Sequence, residues 1–497
     1  MTADPSVRSA PLIVASNRAP LTFKRRPGGA LAPERGTGGL VTALTGALEA
    51  SKGLWVAAAM SKGDREVAAA SDGPIDMRAE GIDYRLRFVT IPPRVYDHYY
   101  NWVANGMLWF VHHYLWDTVR RPSFSEQEQR AWDDYAAVNA VFADALAQEG
   151  ARRRVSPVYL VQDYHLSLVP RLLRERRPDA LIAHFSHTPF AGSTYLRILP
   201  ARIRESLLRG LLGADVLGFH SQDWANNFLM SARSVPGARV DLARSRITYE
   251  GRDVLVRTHP VSIDVAPMRE VAATDRVATL RRDLAAWRGD TKLILRVDRL
   301  ELTKNIARGF LAYEALLARS SSWRRRVKFL ALLSPSREGM PEYRTYTEEC
   351  LAEAERVNRR FGDSTWTPIE VRVRDDYIAA IAAYGLYDVL LVNPIIDGMN
   401  LVAMEGPLVN RHRGVLALSR NAGAYGRLGR YALGLNPFDI SETAAALEEA
   451  LMMPEYERAR RARGLARLVL ANPPERWIGD QLRDLERVRR RRSVRAS

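Results

Sequence analysis

The sequence predicts an α/β protein built as two open, mostly parallel sheets, one in each half of the chain, and three observations carry that prediction. The chain has 497 residues, beyond the ~250 to 300 at which a single core stops growing, so two domains are expected. In both halves, short apolar runs alternate with stretches of helical spacing, the pattern of strands joined by crossover helices. Several runs, Val389–Val392 most clearly, are apolar without alternation, which suits a strand covered on both faces.

In the first half, residues 11–16 (PLIVAS) read as a strand, and Gly38-Gly39 then opens a helical stretch over 40–50. Residues 158–161 and Leu181–Phe185 are further strands, each followed by a polar cluster and then by helical spacing, as at Val169–Arg176 and 203–212. A second series begins after 254–259. Its strands are 293–297, 327–333, Ile369–Val373, Val389–Val392 and 415–418, separated by helices such as 307–317 and Pro341–Phe361. The boundary is placed near Pro260, and no internal repeat or low-complexity linker interrupts the pattern. Two such sheets offer ligand groups at the carboxyl ends of their strands, across a cleft.

Composition narrows the function classes. No stretch reaches the ~18 uninterrupted apolar residues of a membrane span, and the first fifteen residues lack a secretory pattern. The single cysteine, Cys350, excludes an intrachain disulfide and a cysteine-based zinc cluster. A reducing, cytoplasmic setting is therefore expected. The formal charge of +16 raises nucleic acid as a partner. Against it, only six cations are lysine, the arginines are spread along the chain, and the cluster Arg489 to Arg492 has no aromatic residue interleaved for base stacking. Nucleic acid is thus disfavoured, no membrane partner is expected, and a homo-oligomer stays open.

The candidate chemistry sits after strands. The segment 388–405, DVLLVNPIIDGMNLVAME, runs from an apolar strand into Asp397-Gly398-Met399-Asn400 and then into Leu401, Val402 and Glu405. A helix begun near Gly398 is expected to offer amides to a phosphate and to bring Glu405, roughly two turns on, toward the same ligand. Arg299 and Lys304 follow the 293–297 strand, and Arg337 and Arg18 follow others. Four cations after strand ends suit anionic substrates, although any one alone could serve as a salt-bridge partner. Asp163 and His187 also follow strands and suit sugar hydroxyls, though a lone histidine is more often structural. No metal or other cofactor is expected, because His112 and His113 are adjacent and neither HExxH nor GxSxG occurs.

Taken together, Ser16-Asn17-Arg18, Gly38-Gly39-Leu40, Tyr99-Tyr100-Asn101 with Leu108-Trp109, Asp163-Tyr164-His165-Leu166, His187, 299–304, 310–314, Pro335-Ser336-Arg337 and 397–405 resemble the trehalose-6-phosphate synthase family of retaining glycosyltransferases. The resemblance covers roughly residues 11–485. It implies two Rossmann-like lobes facing across a cleft (GT-B type), the first (1–259) for a sugar phosphate acceptor and the second (260–470) for a nucleotide-sugar donor. Residues 471–497, with Trp477, would form a helix closing back on the first lobe, plus a basic tail. By the same resemblance Arg18, Tyr100, Trp109, Asp163 and Arg337 hold the acceptor, and Gly38, Gly39, Arg299 and Lys304 meet the donor diphosphate. His187 and Asp397 to Asn400 would bind the donor glucose, and Leu401, Val402 and Glu405 the nucleoside.

The implied reaction joins glucose from a nucleotide-glucose to glucose 6-phosphate, with front-face attack and the leaving phosphate accepting the acceptor's proton. Arg299, Lys304, Asp163, His187 and Asp397 are the residues expected to carry it. Three departures from the family pattern stand out: Ala58 where a second Trp is usual after Trp55, Gln162 in place of a His, and Asp375-Asp376 where uridine-using members are apolar. A carboxylate there, Asp376 in particular, could accept two guanine donors at once, which favours GDP-glucose over UDP-glucose. The departures also keep open a pseudo-glycosyltransferase coupling cyclitol units, and a non-catalytic sugar-phosphate sensor.

Overall fold

The computed structural model describes residues 10–26, 29–35, 39–71 and 73–496, so Gly38 lies outside the described residues. The chain divides into two compact units, Met1–Val261 with Pro474–Ser497, and Ser262–Pro473. The division falls two residues from the expected Pro260, and the last segment returns to the first unit.

The first unit holds a ten-stranded sheet ordered Arg239–Asp241, Arg246–Tyr249, Arg252–Thr258, Val216–Phe219, Leu181–Phe185, Val158–Gln162, Leu12–Ser16, Leu54–Ala58, Arg85–Val89 and Ile75–Asp76. The seven strands from Arg252–Thr258 to Arg85–Val89 are parallel, with antiparallel strands added at both edges. Leu12–Ser16 and Val158–Gln162 are side by side, yet the chain leaves them toward opposite edges. That is a topological switch point, and ligands bind outside the carboxyl ends of strands there. Both strands are wholly buried, in keeping with cover on both faces.

Between these strands lies an eleven-residue π-helix, His98–Leu108, continued by a short α-helix at Trp109–His112. The sequence pattern gave no sign of it. Such helices are rare and favour functional sites. The long helix Glu126–Ala151 starts at a capping box in which Ser125 and Glu128 satisfy each other's backbone amides. The terminal helix Pro474–Ala496 packs on Leu181–Phe185 and Val216–Phe219. Its Trp477 is buried edge-on against Phe185, ring centroids 5.0 Å apart.

The second unit is a six-stranded, all-parallel sheet ordered Ile369–Val373, Val327–Ser334, Lys292–Arg299, Val389–Val392, Val415–Ser419 and Leu433–Leu435. In chain order this is 3-2-1-4-5-6, the doubly wound arrangement of dinucleotide-binding folds. Its switch point lies between Lys292–Arg299 and Val389–Val392. One core of Phe310, Tyr313, Leu316, Phe329, Leu391 and Leu447 packs helices 306–319 and 440–452 onto one face of that sheet. Five of the six strands match the sequence expectation, and Leu433–Leu435 is additional. Among the described residues no helix is long and apolar enough to cross a membrane.

Candidate active site

Each switch point carries a cluster of polar side chains. In the second unit, the strand Lys292–Arg299 ends in a short 3-10 turn, Leu302–Lys304, and Asn305 (φ 59°) reverses the chain into the helix Ile306–Arg319. Asn305 Nδ2 donates to the carbonyls of Asn393 and Pro437, at 3.0 and 2.7 Å, which ties this turn to the segment after Val389–Val392. Lys304 is thereby aimed at Asp397, with Nζ to Oδ2 at 2.5 Å. Burial alone would depress the lysine, but Asp397 and Asp298 outweigh it and its pKa rises, so Lys304 stays charged. Asp298 itself is pushed up to about 6 by burial, despite Arg296 and Lys304.

The helix after Asp397 starts at Val402, not near Gly398 as the sequence suggested. Residues 397–400 instead form a loop pinned to 421–424. Asp397 N donates to Asn421 O, Gly423 N to Asp397 O, and Ala424 N to Met399 O. A Cβ on Gly423 would stand 1.9 Å from the Gly398 carbonyl, so only glycine lets the two loops close. Asn400 takes a left-handed backbone (φ 75°) and donates to Asp397 Oδ2 at 3.2 Å. Glu405, in the first turn of Val402–Val409, accepts the Tyr384 hydroxyl at 3.1 Å. Burial raises its pKa.

Arg299 and Arg337 converge on one buried carboxylate that sequence reasoning passed over. Glu301 is fully buried, and its Oε1 lies 2.8 Å from Arg299 Nη1, 3.4 Å from Arg337 Nη1 and 2.9 Å from Ser336 Oγ. Burial would raise its pKa, but Arg299, Arg337 and Lys304 hold it below the usual value. Arg337 also donates to the Tyr343 hydroxyl at 2.6 Å. One anion therefore orients two cations. Glu301→Gln is expected to keep the Ser336 contact, lose this orientation and raise KM for both substrates together. The loss in kcat/KM should be about 10- to 100-fold, since hydrogen bonds to charged groups contribute roughly 1.5 to 3 kcal/mol. Unchanged kinetics alongside a lowered melting temperature would reduce Glu301 to a structural role.

In the first unit, Arg18 follows Leu12–Ser16 and donates to the Tyr100 hydroxyl at 3.3 Å. Tyr100 is stacked between Tyr96 (5.5 Å) and His165 (5.7 Å), an arrangement made by the π-helix. Trp109 stacks on His113 at 3.9 Å and leans on Tyr164. Asp163, directly after Val158–Gln162, has φ 71° and ψ 168°, a region that non-glycine residues almost never occupy. It is held there by its amide to Phe185 O (2.7 Å), by His184 Nε2 on its carbonyl (3.1 Å), and by the His187 amide on its Oδ1 (3.1 Å).

His187 packs against Phe185, His220 and Trp477 while keeping part of its surface open. Burial, with His220 and His184 adding to it, drops its pKa well below the ordinary value, so the ring is neutral. Its Nε2 meets Gln162 Oε1 at 3.0 Å. An amide carbonyl only accepts, so in this arrangement Nε2 carries the proton and Nδ1 is left as acceptor.

The structure thus gathers Arg18 with Tyr100, and Asp163 with His187. In the first unit Trp109 lies against Tyr164, next to Asp163 in sequence. In the second, Asp397 meets Lys304 and Asn400, Met399, Leu401 and Val402 adjoin them in sequence, and Arg299 meets Arg337 through Glu301. Gly39 opens the helix Gly39–Ser51. Asp376 has another duty: its Oδ1 caps the helix Tyr377–Tyr384 through the Ala379 amide at 2.9 Å. Asp375 accepts the Ser334 hydroxyl at 3.2 Å. Among the described residues no group of His, Cys, Asp and Glu could hold a metal ion.

The family model of glycosyltransferase family 20 matches residues 10–487. The chain belongs to glycosyltransferase family 20. It is accordingly a retaining glycosyltransferase with the GT-B type fold. Validamine 7-phosphate valienyltransferase of Streptomyces hygroscopicus is 32% identical over 95% of this chain and 93% of its own. Trehalose-6-phosphate synthase of Mycobacterium marinum is 34% identical over 94% of this chain and 91% of its own. Among solved structures, an α,α-trehalose-phosphate synthase (UDP-forming) from Burkholderia xenovorans, in complex with glucose-6-phosphate, superposes with a TM-score of 0.81. It shares 30% identity over 96% of this chain and all of its own.

Proposed function

We propose that this family 20 enzyme transfers glucose with retention from a nucleotide-glucose to glucose 6-phosphate in the cytoplasm, giving α,α-trehalose 6-phosphate. The observation that carries the reading is the charged Lys304, held on Asp397 at a switch point beside Arg299 and Arg337. Lys304 and Arg299 take the donor diphosphate, together with Gly38 and Gly39. Asp397 to Asn400 and His187 take the donor glucose, and Leu401, Val402 and Glu405 the nucleoside. Arg18, Tyr100, Trp109, Asp163 and Arg337 take the acceptor, the two arginines on its phosphate. No protein nucleophile is required. The acceptor hydroxyl attacks the anomeric carbon from the face that the diphosphate leaves, and a leaving phosphate oxygen takes its proton. The cations stabilise the charge that builds on that phosphate.

The donor base divides the reading. Two carboxylates at 375–376 speak for GDP-glucose, whereas the similar Burkholderia xenovorans synthase is UDP-forming. With one Asp376 oxygen committed to a helix cap, a two-oxygen grip on guanine would fall to Asp375 or require the cap to open. The test is incubation of the purified protein with glucose 6-phosphate and either donor, reading trehalose 6-phosphate and released nucleotide. Product with GDP-glucose alone supports both levels of the proposal, and product with UDP-glucose alone keeps the reaction and discards the base preference. A second reading, coupling of a nucleotide-activated cyclitol to a cyclitol phosphate, is favoured by Ala58 and Gln162 and by the valienyltransferase relative. Absence of product with both donors, together with turnover of cyclitol substrates, would replace the first reading by the second. Ligand binding without turnover of any of these would leave a sensor.

A further inference from the structure

The basic cluster Arg489 to Arg492 is not absorbed by the proposed reaction, and most of it is internally matched. Arg489 and Arg490 pair with Glu486. Arg492 reaches the fully buried Asp215, which also binds Arg174 at 2.8 Å, and Arg492 Nη1 donates to the carbonyls of Asp179 and Ala180. Two groups are left over. Arg491 makes no hydrogen bond or ion pair among the described residues, and Arg252 Nη1 is buried without a hydrogen bond, 4.0 Å from Asp215.

Both residues line one cavity of about 250 Å³, together with Leu255, Val488 and Arg492, and with Gly251 and Asp253 at its wall. The Asp253 carboxylate is already occupied by Thr248 Oγ1 and Arg246, at 3.2 and 3.5 Å. Position matters here. Arg252 begins its strand and Asp215 precedes Val216–Phe219, so the cavity lies at the amino ends of the parallel strands. Arg18, Asp163 and His187 all follow carboxyl ends. The helix Pro474–Ala496 spans the distance between: fifteen residues separate Trp477, on His187, from Arg492, roughly 22 Å along the axis.

We propose that this cavity is a second anion site, taking a phosphate or phosphate monoester between Arg252 and Arg491. Its volume is below the ~300 to 1,000 Å³ typical of drug-sized ligands, which fits a phosphate or a sugar phosphate and not a nucleotide. The guanidiniums crowd one another there. Burial, then Arg174 and Arg492, lower the pKa of Arg252, and a bound dianion would relieve that repulsion. The inference does not depend on which sugar the enzyme transfers.

Isothermal titration of the full chain with inorganic phosphate, at an ionic strength fixed with chloride, tests it. Wild type should bind two phosphates, one at the catalytic cations and one here. Arg491→Gln, an exposed position, should lose the second or weaken it at least tenfold while kcat in phosphate-free buffer is unchanged. Arg252→Gln serves as the second variant. Glucose 6-phosphate in a parallel arm, read as the difference between wild type and Arg491→Gln so that binding at the acceptor residues cancels, separates a sugar phosphate from free phosphate as the better ligand. Equal stoichiometry and affinity in wild type and Arg491→Gln, or a single wild-type site lost only in Lys304→Ala, would overturn the proposal.

Discussion

Lys304→Ala is expected to lower kcat by about 10²- to 10³-fold, the effect of removing one preorganised group that stabilises developing charge, or roughly 3 to 4 kcal/mol of barrier. The geometry makes the lysine hard to replace. It is largely buried, it is held by Asp397 at 2.5 Å, and its pKa is raised, so it carries a full positive charge where the proposed reaction puts the leaving phosphate. KM for the acceptor should move far less than kcat, because this interaction strengthens as the bond breaks. The substitution removes one donor from the Asp397 carboxylate, which keeps the Asn400 amide, so a modest drop in melting temperature is expected as well. Lys304→Ala combined with Asp397→Asn should recover the melting temperature and none of the activity. Steady-state kinetics and circular dichroism read both quantities, and wild-type turnover in Lys304→Ala would sink the assignment.

The second large effect is expected at Asp163, where function and stability should part. Asp163→Asn and Asp163→Gly should each reduce kcat/KM by about 10²-fold or more, since the carboxylate holds the His187 amide and, in the proposed reaction, accepts sugar hydroxyls. Stability should follow the backbone instead. At φ 71° and ψ 168°, a Cβ costs on the order of 1 to 3 kcal/mol, and glycine escapes that cost. Asp163→Gly should therefore be more stable than Asp163→Ala by about 1 to 2 kcal/mol, after allowing for the extra unfolded-state entropy of glycine. Urea midpoints of the two variants decide it. An alanine variant as stable as the glycine variant would mean that the strained backbone relaxes once the carboxylate is gone.

The second sheet was easy to read in the sequence because strands such as Val389–Val392 and Val415–Ser419 are buried on both faces and so appear as continuous apolar runs. Even there the reading slid past Arg296, a wholly buried arginine inside the 293–297 run that bonds Asp298, the Lys304 carbonyl and Asn393. A charge within a strand is legible only through partners distant in the chain. Leu433–Leu435 escaped notice because three residues show no period, and Arg85–Val89 because alternating arginines mask a strand near the edge. The helix start at Val402 was misplaced because loop 421–424, some twenty residues on, holds 397–400 out of helical geometry. Glu301 was passed over for a related reason. An acid between Arg299 and Lys304 in a turn looks solvated, and only the fold shows that it is buried and shared by Arg299 and the distant Arg337. Arg18, Asp163, His187, Lys304 and Asp397 could be picked out as candidates because residues following parallel strands lie at the sheet's ligand-binding edge.

The return of Pro474–Ser497 to the first unit has a consequence for how the protein is made. The first unit cannot be finished when residue 261 leaves the ribosome, because the helix that covers Phe185 and His187 has not been synthesised. Roughly 210 residues of the second unit intervene. At about 5 to 20 residues per second that delay lasts on the order of 10 to 40 seconds, far longer than helix formation or collapse. The second unit, continuous in sequence, can fold during the wait. The apolar groove reserved for Trp477 stays open throughout, which makes the nascent first unit a natural client for chaperones and ties its completion to residues 474–497.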